Sequence, residues 1–134
     1  MLSLPCICCG SGPVSCTPCT LPNSNLTLTW TNALIGNGST PLIYNGSAGW
    51  NSSCSNGLLY ALGCVGGSIV FCVTYFLSGA CPTGQPQKCC SNTSNPFALT
   101  LSSYTCSPLA LHYTVAGTNC PVLWNNGFTA FDIS

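Results

Sequence analysis

Thirteen of the 134 residues are cysteine, and only Lys88 and Asp132 carry a formal charge at neutral pH. A soluble domain is ordinarily about 25% charged, so amides, hydroxyls and backbone must wet this surface. Cysteine at such density marks a disulfide scaffold, because cytosolic chains rarely keep so many thiols without binding metal. The finished protein is therefore expected in an oxidising place. Thirteen is odd, so a full set of intramolecular bridges leaves one sulfur free, joined to another chain or holding a ligand. With a formal net charge of zero, little keeps two copies apart. The chain reads as one that packs against other copies of itself or against another protein.

The length suits one domain with a real core. Met1-Leu2-Ser3-Leu4-Pro5-Cys6 shows neither the basic start nor the apolar stretch of a secretory signal. An oxidised protein with such a start is expected to be released by lysis, as virion proteins are, or to come from a trimmed precursor. The most apolar run, residues 58–77, is broken by Gly63, Gly66, Gly67, Ser68 and Thr74 and is rich in β-branched and aromatic residues. It does not read as a membrane span, which needs roughly 18 uninterrupted apolar residues.

Residues 1–22 form a Cys/Pro-rich arm, with Cys6, Cys8, Cys9, Cys16 and Cys19 among prolines and glycines. It lacks the apolar periodicity to order itself and needs crosslinks or metal. Residues 23–134 change to short alternating runs between Gly, Asn, Ser and Pro clusters, the pattern of an all-β domain. Leu26, Leu28 and Trp30 alternate with Thr27 and Thr29, a strand with one buried face. Further strands are expected at 42–44, 58–62, 68–77, 97–101, 109–115 and 128–133. Together they suggest a disulfide-stapled antiparallel sandwich or jelly roll. Within 68–77 both faces are apolar, which predicts a central or doubly covered strand. Turns are expected at Gly36-Asn37-Gly38, Asn45-Gly46, Asn56-Gly57 and Asn126-Gly127, and no helix of ordinary length is visible.

Enzymes need titratable groups brought together, and the chain has one His, one Asp, one Lys and no Glu or Arg. A Ser-His-Asp or Cys-His-Asp set using His112 and Asp132 is conceivable, but nothing marks a nucleophile or an oxyanion hole. His112 reads as a polar strand residue facing solvent, and no catalytic residue and no cofactor are assigned. The spacing Cys16-x-x-Cys19, with Cys6 and Cys9, is that of a four-thiolate zinc site, although the first half, C-x-C-C, departs from a clean C-x-x-C pair. Disulfides are the main reading for all of these. Adjacent Cys89 and Cys90 are expected to send their sulfurs to different partners, because a vicinal bond strains the backbone. Cys54, Cys64, Cys72, Cys81, Cys106 and Cys120 look like staples between strands and loops.

Asn-x-Ser/Thr sequons begin at Asn25, Asn37, Asn45, Asn51 and Asn92 and would be glycosylation sites only in a cell that reads them. One Lys and no Arg cannot neutralise a phosphate backbone, so nucleic acid is not an expected partner. Trp50 and Trp124 fall in expected loops, which makes them the candidates for an exposed contact with a neighbour or a glycan.

The Cys/Pro-rich head, the first strand Leu26-Thr27-Leu28-Thr29, the middle Gly49-Trp50, Cys89-Cys90 followed by Asn95-Pro96-Phe97, and a closing strand over 128–133 give a layout that resembles small cysteine-rich β proteins encoded in some bacterial and phage genomes. The resemblance implies a structural or surface role and carries no catalytic residues across. The expected function is a non-enzymatic structural protein of a virion exterior, a capsid decoration or a tail component, with a capsid or tail protein as partner. Two alternatives are a self-polymerising subunit of an extracellular filament or surface layer, glycosylated where the cell reads its sequons, and a small carbohydrate-binding module.

Overall fold

The alternating apolar residues after Pro22 are extended as anticipated, and their buried sides meet in one core. The computed structural model describes residues 14–77, 81, 84–91 and 97–134. Its strands are β1 (Leu26–Asn32), β2 (Gly38–Tyr44), β3 (Gly49–Asn51), β4 (Leu58–Val65), β5 (Ser68–Phe76), β6 (Pro86–Cys90), β7 (Leu99–Cys106), β8 (Leu109–Val115) and β9 (Phe128–Ile133). One short helix, α1 (Pro121–Asn125), precedes β9. In β1, Leu26 and Leu28 are buried while Thr27, Thr29 and Thr31 face solvent, the period of two that one covered sheet face dictates.

The nine strands form a single antiparallel sheet in the order β6-β5-β4-β3-β2-β1-β9-β8-β7. Two meanders, β1 to β6 and β7 to β9, are joined where β1 pairs with β9, Trp30 opposite Phe131. The all-β, antiparallel, disulfide-stapled fold is as expected. Its architecture is one continuous sheet rather than two separate ones, and neighbours within each meander follow in sequence rather than crossing over as in a jelly roll.

The sheet bends at β2, whose residues 38–42 pair with β1 while Ile43 and Tyr44 pair with β3. That bend folds one half over the other, close to a barrel. Phe71 of β5 then meets Tyr113 of β8 at 5.0 Å and Phe131 of β9 at 5.5 Å between ring centroids. Tyr60 of β4 packs edge-on against Phe131 at 5.7 Å. Such aromatic pairs add about 0.5–1.5 kcal/mol each beyond the area they bury. The outer face of β5 is only half covered, since Val70, Cys72 and Thr74 are all partly exposed.

At one end of the folded sheet lie the Gly66-Gly67 turn between β4 and β5, both glycines at positive φ, and the Ser107-Pro108 turn between β7 and β8. Residues 14–21 lace this end shut. Val14 and Leu21 pair with each other, and Thr17 bridges Ser68 in parallel. The Thr17 N–H donates to the Gly67 carbonyl at 2.7 Å, and the Ile69 N–H donates to the Thr17 carbonyl at 2.9 Å. Leu21 and Cys19 belong to the common core. The described part of the arm is fastened to its own domain.

At the other end converge the β1–β2 loop, the Asn56-Gly57 turn before β4 and the Asn126-Gly127 turn after α1. Asn32, buried, ties the first and the last of these together. Its Oδ1 accepts from the Leu34 and Ile35 N–H groups at 2.8 and 3.0 Å. Its Nδ2 donates to the Asn126 carbonyl at 3.0 Å, and its own N–H donates to Asn37 Oδ1. A buried amide with its groups so satisfied holds a loop in one shape.

Candidate functional site

The ten described cysteines form five disulfides: Cys16–Cys64, Cys19–Cys106, Cys54–Cys81, Cys72–Cys90 and Cys89–Cys120. A strand points successive side chains to opposite faces, and this sends the neighbouring Cys89 and Cys90 to different partners. Cys90 sits directly across from Cys72 in the β5–β6 ladder, whereas Cys89 turns into the core and reaches Cys120. The zinc alternative required Cys16 and Cys19 as thiolates. Both sulfurs are in disulfides, which removes them as ligands, and no group of three or more metal-binding side chains occurs among the described residues. Cys6, Cys8, Cys9 and Asn92 lie outside the described residues.

His112 and Asp132 face each other across β8 and β9, with Nδ1 and Oδ1 2.6 Å apart and both side chains substantially exposed. Ser103 of β7 stands opposite His112 on its other side, so the order Asp-His-Ser is set across three strands. These residues, with Thr105 and Ala110, line a shallow groove of about 390 Å³. A hydrolytic triad needs the serine hydroxyl bonded to the second imidazole nitrogen. The bond recorded here is from the Ser102 hydroxyl, in the β-bulge, to the His112 backbone carbonyl at 3.3 Å. The single His and single Asp therefore form a cross-strand pair on an open surface.

That pair sits in a hydroxyl-rich face. Ser39, Thr29, Asp132, His112 and Ser103 follow one another in register across β2, β1, β9, β8 and β7. The next row holds Thr31, Ala130, Thr114 and Thr100. Apart from Asp132 and its histidine partner, these residues are uncharged.

The two candidate contact tryptophans part ways. Trp124, in α1, is half exposed and lies over Gly117. Trp50 is fully buried in β3, packs on Tyr44 at 4.9 Å and donates from Nε1 to the Ser24 carbonyl at 2.7 Å. This corrects the expectation of an exposed Trp50: a strand passes through Gly49-Trp50-Asn51 and turns the indole inward. Asn25, Asn37, Asn45 and Asn51 are all exposed. The side-chain oxygens of the first three accept from the backbone N–H groups of Tyr44, Asn32 and Ser47.

The end tied by Asn32 opens into the core as a mouth that sequence reading did not single out. Two adjoining hollows of about 150 and 390 Å³ share Ile35, Asn56 and Leu58. Trp30 and Tyr60, stacked at 6.1 Å and 17°, wall the smaller, and Tyr75, Phe128 and Asn126 wall the larger. Burial pushes the Tyr60 phenol well above its ordinary range. Burial likewise pushes Tyr113 up to about 12, with Ser91 beside it acting in the opposite direction. Compared with protein-family models, with curated proteins and with solved structures, the chain matches none.

Proposed function

We propose that the protein is a non-enzymatic structural subunit of an extracellular assembly, the exterior of a virion, held there by backbone and apolar contacts. The observation that carries this reading is the unequal treatment of the two sheet edges. Sheets blunt an exposed edge with lysine or proline. Edge β6 begins with Pro86 and carries Lys88, the only cation in the chain. Edge β7 runs for eight residues, Leu-Thr-Leu-Ser-Ser-Tyr-Thr-Cys, without charge or proline, its one irregularity the bulge at Ser102. Among the described strands it pairs with β8 alone, which leaves a row of backbone donors and acceptors that can extend a neighbour's sheet.

Two further features support the reading. The hydroxyl-rich outer face can lie against a neutral lattice without burying an uncompensated charge beyond the His112–Asp132 pair. Five disulfides hold the fold in a medium outside the cell. The same open edge equally favours self-polymerisation into a filament, and one experiment separates the two. Native particles are banded on a density gradient, and whatever co-sediments with this chain under non-reducing conditions is identified by mass spectrometry. Co-sedimentation with a major capsid or tail protein and a genome supports the virion reading, whereas a pure homopolymer refutes it.

A further inference from the structure

We infer that the mouth between the Asn32-clamped loop and the Asn126-Gly127 turn is a binding site for an uncharged, hydroxyl-bearing ring ligand, a neutral pyranose glycan being the chemical class. The site is independent of the assembly role and uses neither Trp50 nor Trp124.

Construction of the site is the first argument. The Trp30 indole occupies the space that a side chain at position 38 would fill, since a Cβ on Gly38 would collide with its six-membered ring. Trp30 is thereby seated flat along Tyr60 at the wall of the inner hollow. Leu34 and Ile35 are 70% and 69% exposed, yet the loop that holds them out is pinned through both of their N–H groups to Asn32. A pinned loop that displays a large apolar side chain, Ile35, at the lip of a cavity is a recognition feature rather than a loose surface segment.

The chemistry of the lining then selects the ligand. None of the residues around either hollow is charged. A carboxylate, phosphate or ammonium ligand would lose hydration and gain no counter-charge. A wholly apolar ligand would strip water from Ser53, Ser55, Asn56 and Asn126 without replacing its hydrogen bonds. A pyranose satisfies both demands, with C–H faces for Trp30 and Tyr75 and hydroxyls for the serine and asparagine groups. The inner hollow seats one ring and the adjoining one the next, so a short chain binds better than a single sugar.

The test is isothermal calorimetry on the intact, oxidised protein with neutral hexasaccharides of β-1,4-glucose, α-1,4-glucose, β-1,4-N-acetylglucosamine, β-1,4-mannose and β-1,4-xylose, and with hexagalacturonate as the charged contrast. At least one neutral chain is expected to bind with a Kd of about 1 mM or tighter, and hexagalacturonate more weakly. Trp30→Ala and Ile35→Asp should each weaken binding at least about tenfold, and Trp124→Ala should leave it unchanged. Should Trp30→Ala fold poorly, Ile35→Asp on the exposed loop still decides. Absence of binding by every neutral chain at about 10 mM, or binding that survives Ile35→Asp, overturns the proposal.

Discussion

Removal of the Cys19–Cys106 bridge should cost less than its sequence separation suggests, because the bonds around it already shorten the loop it closes. A lone crosslink spanning 87 positions would stabilise the fold by about 4.6 kcal/mol through chain entropy. Cys16–Cys64, only a few residues along the arm, and Cys72–Cys90 across the β5–β6 ladder cut the effective loop to about 30 residues, worth about 3.6 kcal/mol. When Cys16 and Cys64 are already alanine, the remaining shortcuts leave a loop of about 60 residues, and the same bridge is then worth about 4.3 kcal/mol. Truncation of the buried Cys19 sulfur adds a packing loss that is nearly equal in the two backgrounds and cancels between them. Urea unfolding of the four proteins of this cycle, followed by tryptophan fluorescence and extrapolated linearly, measures both quantities. The Cys19→Ala/Cys106→Ala change should cost at least about 3 kcal/mol in the otherwise native protein and on the order of 0.5–1 kcal/mol more in the stripped one. A loss below about 1 kcal/mol, or a larger loss in the native background than in the stripped one, would refute the picture of an arm that laces two hairpin ends to the same core.

Trp50→Phe should destabilise by about 2–3 kcal/mol in urea unfolding, because it opens a void beside Tyr44 and leaves the Ser24 carbonyl without its donor, whereas Trp124→Phe should stay within about 0.5 kcal/mol. Stability should fall as pH rises from about 10 to about 12: the unfolded chain releases two phenolic protons there that folded Tyr60 and Tyr113 keep, Tyr113 up to about 12, so deprotonation favours unfolding by about 2–3 kcal/mol for each phenol, and a flat profile measured by urea midpoints across that window would disprove it. Asp132→Asn should change stability by less than about 1 kcal/mol, as befits an exposed pair, and a larger loss in the same assay would mark the His112 contact as structural.

What could be read from the chain depended on whether a residue's surroundings were local. β1 and β8 show their alternation because one face is buried along the strand, and the bounds expected for β8 and β9 coincide with those observed. β3 has three residues, too few to display a period. β6 begins with proline and ends in two cysteines, so its pairing with β5 overrides a sequence that reads as loop. Trp50 reads as a loop residue for the same reason, although a local signal exists: it pairs with Tyr44 across the Asn45-Gly46 turn, an aromatic cross-strand pair flanking a turn that is legible in the sequence.

Disulfide partners other than the divergence of Cys89 and Cys90 were not readable, since Cys19 and Cys106 meet only after the sheet has folded over. The mouth fails on the same count. Its walls come from β1, the β1–β2 loop, the start of β4, the end of β5 and the turn after α1, and no single segment carries its signature. The lone lysine makes the converse case. As composition, Lys88 says only that the chain is nearly uncharged; placed on edge β6 beside Pro86, it shows which side of the sheet is protected from pairing and, by contrast, that β7 is the side left open. In a chain with so little charge, the meaning of each ionic residue lies in its position in the topology, and His112 and Asp132, brought together across two strands, obey the same rule.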